Sequence, residues 1–352
     1  MSKLVLTANP DFADLALAEV DAAGVTSLVM EMLEPGVYLL DVAESFWDLA
    51  EQWCTRPPIF VRHICPVQLT VPLAKIAADL PQLSDAVRAE FGELLEPQLS
   101  FSVQSRTFCE LPYKRFDINN NLAATLQEAT GAPLDVRAPA QILSVVCAEV
   151  EVDGAHEGAQ AVALVGLSLA SHNLSDWAGG MRRFAREAEQ VSRAEFKLLE
   201  ALEVFQIALS PRGVALDLGA APGGWTRVLR RLDQYVTAVD PAELDPRVKA
   251  DRSVRHKRIT AEAYLADEPD TFDIIVNDIR MDARDSARLM VAYAKQLYAD
   301  GLALVTLKLP EQNRRAILDE ALEILQQQYD IRGARQLFHN RSEVTVYLTP
   351  RE

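Results

Sequence analysis

The chain has 352 residues, and its 35 Lys and Arg against 51 Asp and Glu give a formal net charge of −16 at pH 7. Hydrophobic residues make up 49% and charged residues 24%, which is typical of a globular protein and excludes a disordered chain, a collagen and a coiled-coil rod. Four cysteines exclude a disulfide scaffold, and five histidines without H-x-E or H-E-x-x-H spacing argue against a metal site. The length indicates two or three domains at roughly 150 residues each.

The sequence contains no membrane-spanning or targeting signal. Its longest apolar stretch, residues 161–170, is shorter than the roughly 20 residues that a bilayer requires. The first residues lack the charged, apolar and cleavage regions of a signal peptide. We therefore expect a cytoplasmic protein that does not bind a membrane.

Short strands and helices alternate in the first half of the chain. The predicted elements are strand 3–8, helix 12–23, strand 36–42, helix 45–53, strand 67–71, helix 83–91, strand 99–103, helix 118–130, strand 142–150 and strand 162–169. Pro57 and Pro58 break the first unit from the second. This pattern predicts α+β domains at residues 1–60 and 61–175. Residues 171–180 indicate a loop that leads to a connector helix.

The second half alternates more regularly. Its predicted elements are helix 192–205, strand 213–218, helix 226–232, strand 235–239, strand 272–276, helix 284–298, strand 302–307, helix 311–327, strand 334–338 and strand 343–348. Helices of this length between strands predict right-handed crossovers and a mostly parallel sheet. The last two strands are joined by only four residues, so they predict a hairpin and an antiparallel edge. An α/β domain is expected at residues 190–352.

A glycine-rich turn, DLGAAPGGW at residues 217–225, joins a predicted strand to a helix. Gly219 permits a sharp turn, and Gly223 and Gly224 leave room for a ligand near the backbone. The spacing differs from the G-x-G-x-x-G of dinucleotide sites, while Asp240 follows the next strand and can accept both hydroxyls of a ribose. These features favour S-adenosylmethionine as the ligand, and a purely structural turn is the alternative.

The same turn carries a family resemblance. Together with SRAEFKL at residues 192–198, it resembles the catalytic domain of the FtsJ-like ribose 2′-O-methyltransferases, and Asn277-Asp278, LKLP at 307–310 and RSEV at 341–344 follow in the family's order. The resemblance covers about residues 190–350. It implies a Rossmann-like class I methyltransferase domain that uses S-adenosylmethionine.

The N-terminal half resembles the THUMP-containing region of the bacterial 23S rRNA cytidine 2′-O-methyltransferases. The similar residues are the strand–Pro–Phe–helix opening, Arg106, Lys114-Arg115, residues 119–121, residues 165–167 and residues 173–175. This resemblance implies an RNA-binding α+β region before the catalytic domain.

The family's catalytic tetrad corresponds to Lys197, Asp278, Lys308 and Glu343. A ribose 2′-hydroxyl must lose its proton as it attacks a methyl sulfonium, so a base or an orienting group must contact it. Lys308, at the end of a strand, is expected to be that group, and the choice between base and orienting cation stays open. Without the family, a solvated lysine, a helix cap at Asp278 and a surface carboxylate at Glu343 are the alternatives.

The resemblance also implies a set of cofactor-binding residues: Ser192, Gly219, Ala221, Pro222, Gly223, Gly224, Trp225, Asp240, Glu262 and Asp278. Glu262 is included as the acid nearest to the position where the family has an Asp after the third strand. Trp225 has packing at the start of the helix as its alternative role.

Charge is unevenly distributed along the chain. Residues 1–190 contain 12 Lys and Arg against 26 Asp and Glu, whereas residues 191–352 contain 23 against 25. Such an acidic protein repels RNA at long range, so binding must be local. The predicted RNA contacts are Arg106, Lys114, Arg115, Arg182, Arg183 and Arg186.

The sequence thus predicts a monomeric RNA ribose 2′-O-methyltransferase that acts on unpaired segments of 23S rRNA. A tRNA substrate is the first alternative. A non-catalytic RNA-binding or assembly protein and a small-molecule methyltransferase are the others.

Overall fold

The computed structural model describes residues 2–151, 158–267 and 269–351. They divide into two compact units, residues 1–181 and residues 182–352. No helix among these described residues is long and apolar enough to cross a membrane.

The first sheet of the N-terminal unit has a βαββαβ order with strands arranged β2-β3-β1-β4, all antiparallel. Its elements are β1 (Ser2–Ala8), α1 (Ala13–Ala22), β2 (Ser27–Glu34), β3 (Val37–Val42), α2 (Phe46–Thr55) and β4 (Val61–Val67). The side chain of Ser45 caps α2 by accepting a hydrogen bond from the Trp47 N–H at 3.1 Å.

Two strands of this sheet were not predicted. β2 lies at the sheet edge and is exposed on both faces, so it lacks the alternation that marks a half-buried strand. β4 follows the Pro57-Pro58 break but pairs with β1, so the first sheet extends past the boundary predicted at residue 60. The pairing of β4 with β1 determines where the first sheet ends, and the two prolines give no information about that pairing.

The second sheet of this unit has the order β5-β8-β7-β6, in which only β6 and β7 are parallel. Its elements are β5 (Leu69–Pro72), α3 (Asp79–Phe91), β6 (Phe101–Thr107), α4 (Arg115–Thr130), β7 (Gln141–Val150) and β8 (Gln160–Leu169). The helices cover one face through buried side chains such as Phe91 and Leu126. The other face packs against the first sheet, where Val146 and Leu164 join Val5 and Leu39.

The C-terminal unit is built on one seven-stranded sheet. Its elements are α5 (Glu195–Val204), β9 (Val214–Leu218), α6 (Gly224–Arg231), β10 (Tyr235–Val239), α7 (Pro246–Lys249), β11 (Val254–Lys257), α8 (Ala261–Ala266), β12 (Phe272–Asn277), α9 (Ala283–Tyr293), β13 (Leu297–Lys308), α10 (Arg314–Leu325), β14 (Tyr329–Arg335) and β15 (Glu343–Pro350). Residues 181–194 contain neither helix nor strand, so the prediction of a connector helix after residue 180 was wrong.

The strand order β11-β10-β9-β12-β13-β15-β14 confirms the predicted Rossmann-like α/β fold. The first five strands are parallel, and β15 runs antiparallel to both β13 and β14, as the hairpin prediction required. β11 was missed because its sequence, VRHK, is mostly charged. β9 lies between β10 and β12, so the strand order reverses at β9: β10 and β11 extend the sheet on one side, and β12 and β13 extend it on the other. Ligands of open α/β sheets bind at such a switch point.

Candidate active site

Four charged side chains from separate elements meet beyond the carboxyl ends of the central strands. Lys197 lies on α5, Asp278 directly follows β12, Lys308 ends β13 and Glu343 begins β15. Lys308 and Glu343 are Cα partners in the antiparallel pair of β13 and β15, which explains how positions far apart in sequence become neighbours. The backbone N–H of Asp278 points to the Leu218 carbonyl at 3.4 Å, which ties this residue to the glycine-rich turn.

Each carboxylate of this cluster contacts both ammonium groups. Lys197 Nζ lies 3.3 Å from both oxygens of Asp278 and also contacts Glu343 Oε1. Lys308 Nζ contacts Asp278 Oδ1 and lies 3.6 Å from Glu343 Oε1. None of the four side chains is more than 22% exposed, so the charges interact with little screening by water.

The surroundings of two members set their protonation state. Burial disfavours the ammonium of Lys197, but Asp278 and Glu343 outweigh it, and the pKa of Lys197 is raised. Burial likewise opposes the carboxylate of Asp278, yet Lys308 and Lys197 lower the pKa of Asp278. At neutral pH, Lys197 is therefore a cation and Asp278 an anion.

Thr306 is a further member that the sequence analysis missed. Its Oγ1 accepts a hydrogen bond from Lys308 Nζ at 2.7 Å and donates one to Asp278 Oδ1 at 2.5 Å. Thr306 lies two residues before Lys308 on β13, so both side chains point to the same face of the sheet. This period-two spacing was the signal that could have identified it.

The glycines of the turn are required by packing within the protein. Gly219 has φ +77°, and a Cβ there would lie 2.7 Å from Ile279 Cγ1. Gly223 has φ +112°, and its Cβ would lie 3.0 Å from Val248, while a Cβ at Gly224 would lie 2.2 Å from Ser192 Oγ. We expected Gly223 and Gly224 to make room for a ligand; the positive φ of Gly223 and the approach of Ser192 Oγ to Gly224 also favour glycine at these positions.

Two acids flank the turn. Asp240 follows β10 and is oriented by its carboxylate, which accepts the Ala221 N–H at 3.1 Å and the Ala242 N–H at 2.8 Å. Asp217 is fully buried at the start of the turn and accepts a hydrogen bond from Thr226 Oγ1 at 2.6 Å. Burial raises the pKa of Asp217 to about 7. The sequence pattern places Asp217 in the glycine-rich motif and does not predict its burial.

The remaining cofactor candidates differ in their surroundings. Ala221 and Pro222 lie within the turn and are joined by a cis peptide bond. Ser192 Oγ is buried and makes no hydrogen bond within the described part of the chain. Trp225 is 3% exposed in the hydrophobic core and donates to the Ala194 carbonyl at 2.7 Å, so packing accounts for it. Glu262 is exposed in the first turn of α8.

The charged cluster faces an open cavity of about 1070 Å³. Cations and aromatic rings surround it, and the lining residues other than the cluster are Arg186, Arg193, Ala194, Phe196, Arg280, Leu309, Phe338, His339, Asn340, Arg341 and Ser342. Of these, only Arg186 is among the site residues predicted from the sequence. In the described ranges, no group of three His, Cys, Asp or Glu side chains could hold a metal ion.

The predicted RNA contacts are not equally available. Arg106 already has partners within the protein, because it donates to Thr7 Oγ1 at 2.8 Å and lies over the Phe108 ring at 4.7 Å. Arg182 forms an ion pair with Glu203 at 2.8 Å. The exposed members of the predicted set are Lys114, Arg115, Arg183 and Arg186.

The C-terminal unit is similar in sequence to known methyltransferases. Residues 190–316 match the family model described as FtsJ-like methyltransferase, so the C-terminal unit contains a domain of that family. Over 178 residues the chain is 36% identical to the ribosomal RNA large subunit methyltransferase M of Alkalilimnicola ehrlichii. This alignment covers 48% of this chain and 49% of the relative. The enzyme of the same name from Pseudomonas aeruginosa is 34% identical over 189 residues, covering 50% and 53%. The chain thus aligns with about half the length of these curated relatives.

The chain is also similar, at lower sequence identity, to proteins of known structure. TrmN from Thermus thermophilus is 20% identical, with a TM-score of 0.40 and coverage of 100% of both chains. Fibrillarin from Methanococcus jannaschii is 15% identical, with a TM-score of 0.37 and coverage of 58% of this chain and 88% of that one.

Proposed function

We propose that this chain, with its FtsJ-like methyltransferase domain, transfers a methyl group from S-adenosylmethionine to a ribose 2′-hydroxyl of RNA, and that large-subunit rRNA is the substrate. The observation that carries the proposal is the contact of Lys197 and Lys308 with Asp278 and Glu343 at the mouth of an open, cation-lined cavity. A structural ion-pair network would have no need of such a cavity.

The residues around the glycine-rich turn fit the cofactor. Asp240 and Asp278 follow β10 and β12, the two parallel strands that flank β9, where their carboxylates can accept hydrogen bonds from ribose hydroxyls and an amino group. Asp240 is held in place by two backbone N–H groups, and Ser192 offers a buried hydroxyl beside the start of α6. When bound, S-adenosylmethionine supplies a methyl group activated by a sulfonium.

Lys308 is the residue assigned to the 2′-hydroxyl. Its Nζ is held by Asp278 and Thr306 and lines the cavity. As a base, Lys308 must first release a proton to water and then take the hydroxyl proton at Nζ. As a cation, it orients the hydroxyl oxygen, and water takes the hydroxyl proton. Lys197 has a raised pKa and remains charged, so its role is to hold the two carboxylates in position.

The same features weigh against the alternatives. A scaffold without activity would not need two buried ammonium groups, because removing a charge from water costs free energy that ion pairing often only balances. A small-molecule enzyme would not need a wide cavity bordered by Arg186, Arg193 and Arg280. For the N-terminal unit, we propose a THUMP-type RNA-binding role through exposed residues such as Lys114 and Arg115.

A methyl-transfer assay tests this function. The purified chain and tritiated S-adenosylmethionine are incubated with total RNA from a strain that lacks the gene, and labelled 2′-O-methyl sites are mapped after nuclease digestion. We expect label in large-subunit rRNA with wild type and with Lys295→Ala, an exposed lysine before the opposite end of β13, and an initial rate lower by about 100-fold or more with Lys308→Ala. Label confined to tRNA would establish the alternative substrate, and no transfer to any RNA would refute the proposal.

A further inference from the structure

An aromatic cluster borders the cavity beside the charged residues. The rings of Phe196 and His339 have centroids 5.1 Å apart, and Phe338 meets His339 edge-on at 5.1 Å. These three residues line the cavity, whereas Phe184 stacks against Phe196 at 5.6 Å and supports it from outside the lining. The rings are only half-buried, so part of their surface faces the cavity.

The cluster adjoins the proposed methyl-transfer site. Phe196 directly precedes Lys197 on α5, and His339 lies in the loop that leads to Glu343. A nucleotide whose 2′-hydroxyl meets Lys308 therefore has its base within reach of these rings. Phenyl and imidazole faces are platforms on which unpaired bases stack.

The loop that carries His339 is held in place by buried polar groups. The carboxylate of Glu200, 3% exposed, accepts the backbone N–H groups of Phe338 and His339 at 2.8 Å each. The buried amide of Gln336 donates to the carbonyls of Asn340 and Arg341. The ring is thus positioned before any ligand binds, which lowers the entropy cost of stacking.

Arginine side chains that line the same cavity could bind phosphate groups. Arg186, Arg193 and Arg280 line it, and none of them forms an ion pair within the described residues. Several arginines elsewhere in this unit are neutralised by ion pairs, for example Arg227 by Glu195 and Arg315 by Asp319. A cavity with aromatic rings and uncompensated arginines is complementary to a polyanion with exposed bases.

We infer that Phe196 and His339 form a stacking site for the base of the target nucleotide, with Arg193 and Arg280 binding the flanking phosphates. This inference rests on the proposed function and adds to it that the substrate is an unpaired nucleotide, turned out of any helix. Specificity for the sugar then comes from the charged cluster, and affinity for the nucleotide comes from the rings and arginines.

Kinetics of ring variants test the stacking site. Phe196→Leu keeps an apolar side chain without a ring, Phe196→Trp keeps a ring, and Phe205→Leu is the control, because Phe205 ends the same helix but packs on Tyr347 away from the cavity. We expect Phe196→Leu to lower kcat/KM for rRNA about 10- to 100-fold, the loss typical of one stacked base. Affinity for S-adenosylmethionine should stay within about threefold, and Phe196→Trp should retain most of the activity.

A binding assay reports stacking directly. The probe is a single-stranded oligoribonucleotide with one 2-aminopurine, whose fluorescence falls when the base stacks. Wild type, Phe196→Trp and Phe205→Leu should quench it, and Phe196→Leu should not. Arg193→Ala and Arg280→Ala should each reduce the slope of log affinity against log salt by about one, whereas the ion-paired control Arg315→Ala should not change it.

The outcomes separate the two proposals. Active wild type with equal activity in Phe196→Leu and Phe205→Leu would refute the stacking site and leave the methyltransferase intact. An equal loss of cofactor affinity in Phe196→Leu would also refute it, because the ring would then support the fold or the cofactor. Wild type that methylates no RNA would refute both.

Discussion

Lys308 lies directly opposite Glu343 across the antiparallel strands β13 and β15, and its Nζ is 3.6 Å from Glu343 Oε1. This relationship depends on the reversed direction of the last strand in an otherwise parallel sheet. Because β15 begins at the edge where β13 ends, its first side chain reaches the same place as the last side chain of β13. The antiparallel direction of β15 therefore places Glu343 in the charged cluster.

Replacing Lys308 separates catalysis from cofactor binding. Lys308→Ala should lower the single-turnover rate of methyl transfer by about 10²- to 10⁴-fold, the range for loss of a general acid or base. Asp278 keeps Lys197 as its partner in this variant, so the site is not left with an unpaired buried acid. Calorimetric titration should show S-adenosylmethionine binding within a few-fold of wild type. Retention of more than about a tenth of the rate would exclude Lys308 as the base.

Asp217 makes stability depend on pH. Its pKa is about 7 in the folded protein because of burial, against about 4 in the unfolded chain. A raised carboxyl pKa means that the folded state binds the proton more tightly, so stability falls as pH rises from about 4 to 7. Asp217→Asn stays neutral and can still accept from Thr226.

The gain in unfolding free energy of Asp217→Asn over wild type should therefore increase between about pH 4 and pH 7 and then level off, at up to about 4 kcal/mol. Urea denaturation of both proteins at a series of pH values measures this gain. A difference that is the same at pH 5 and pH 8 would show that the carboxyl group does not titrate as described.

The contact between Gly224 and Ser192 predicts a compensating pair. A methyl group at Gly224 would lie 2.2 Å from Ser192 Oγ, so Gly224→Ala should cost about 1–3 kcal/mol by overpacking. Ser192→Ala removes that oxygen and should recover much of the loss in the double variant. Denaturation of the four proteins of the cycle yields the coupling energy. Simple additivity would contradict the packing described for the start of α6.

Glu200 should act on RNA through the loop before β15. Glu200→Ala removes the acceptor of the Phe338 and His339 N–H groups, which should loosen the loop and raise KM for rRNA while changing affinity for S-adenosylmethionine little. The control is Glu323→Ala, an exposed carboxylate on α10 that does not line the cavity. Steady-state kinetics with rRNA measures both, and an equal KM in the two variants would contradict the positioning role.

The order of strands and helices in the C-terminal unit followed from local patterns. Alternating apolar strands, helices of crossover length and a short final connection predicted the parallel sheet and its antiparallel edge. The resemblance to the FtsJ-like family identified Lys197, Asp278, Lys308 and Glu343 as candidates, and the position of Lys308 at the end of a strand agreed with a ligand site at that sheet edge.

Other features arise only from contacts between residues distant in sequence. β4 belongs to the first sheet because it pairs with β1, and no local signal contains that pairing. Arg106 looked like a surface cation, but folding places it against Thr7. The aromatic border of the cavity forms because α5 brings Phe196 to the loop of His339. Local sequence specifies backbone preference and burial pattern, whereas these contacts depend on packing of whole elements, which no short segment encodes.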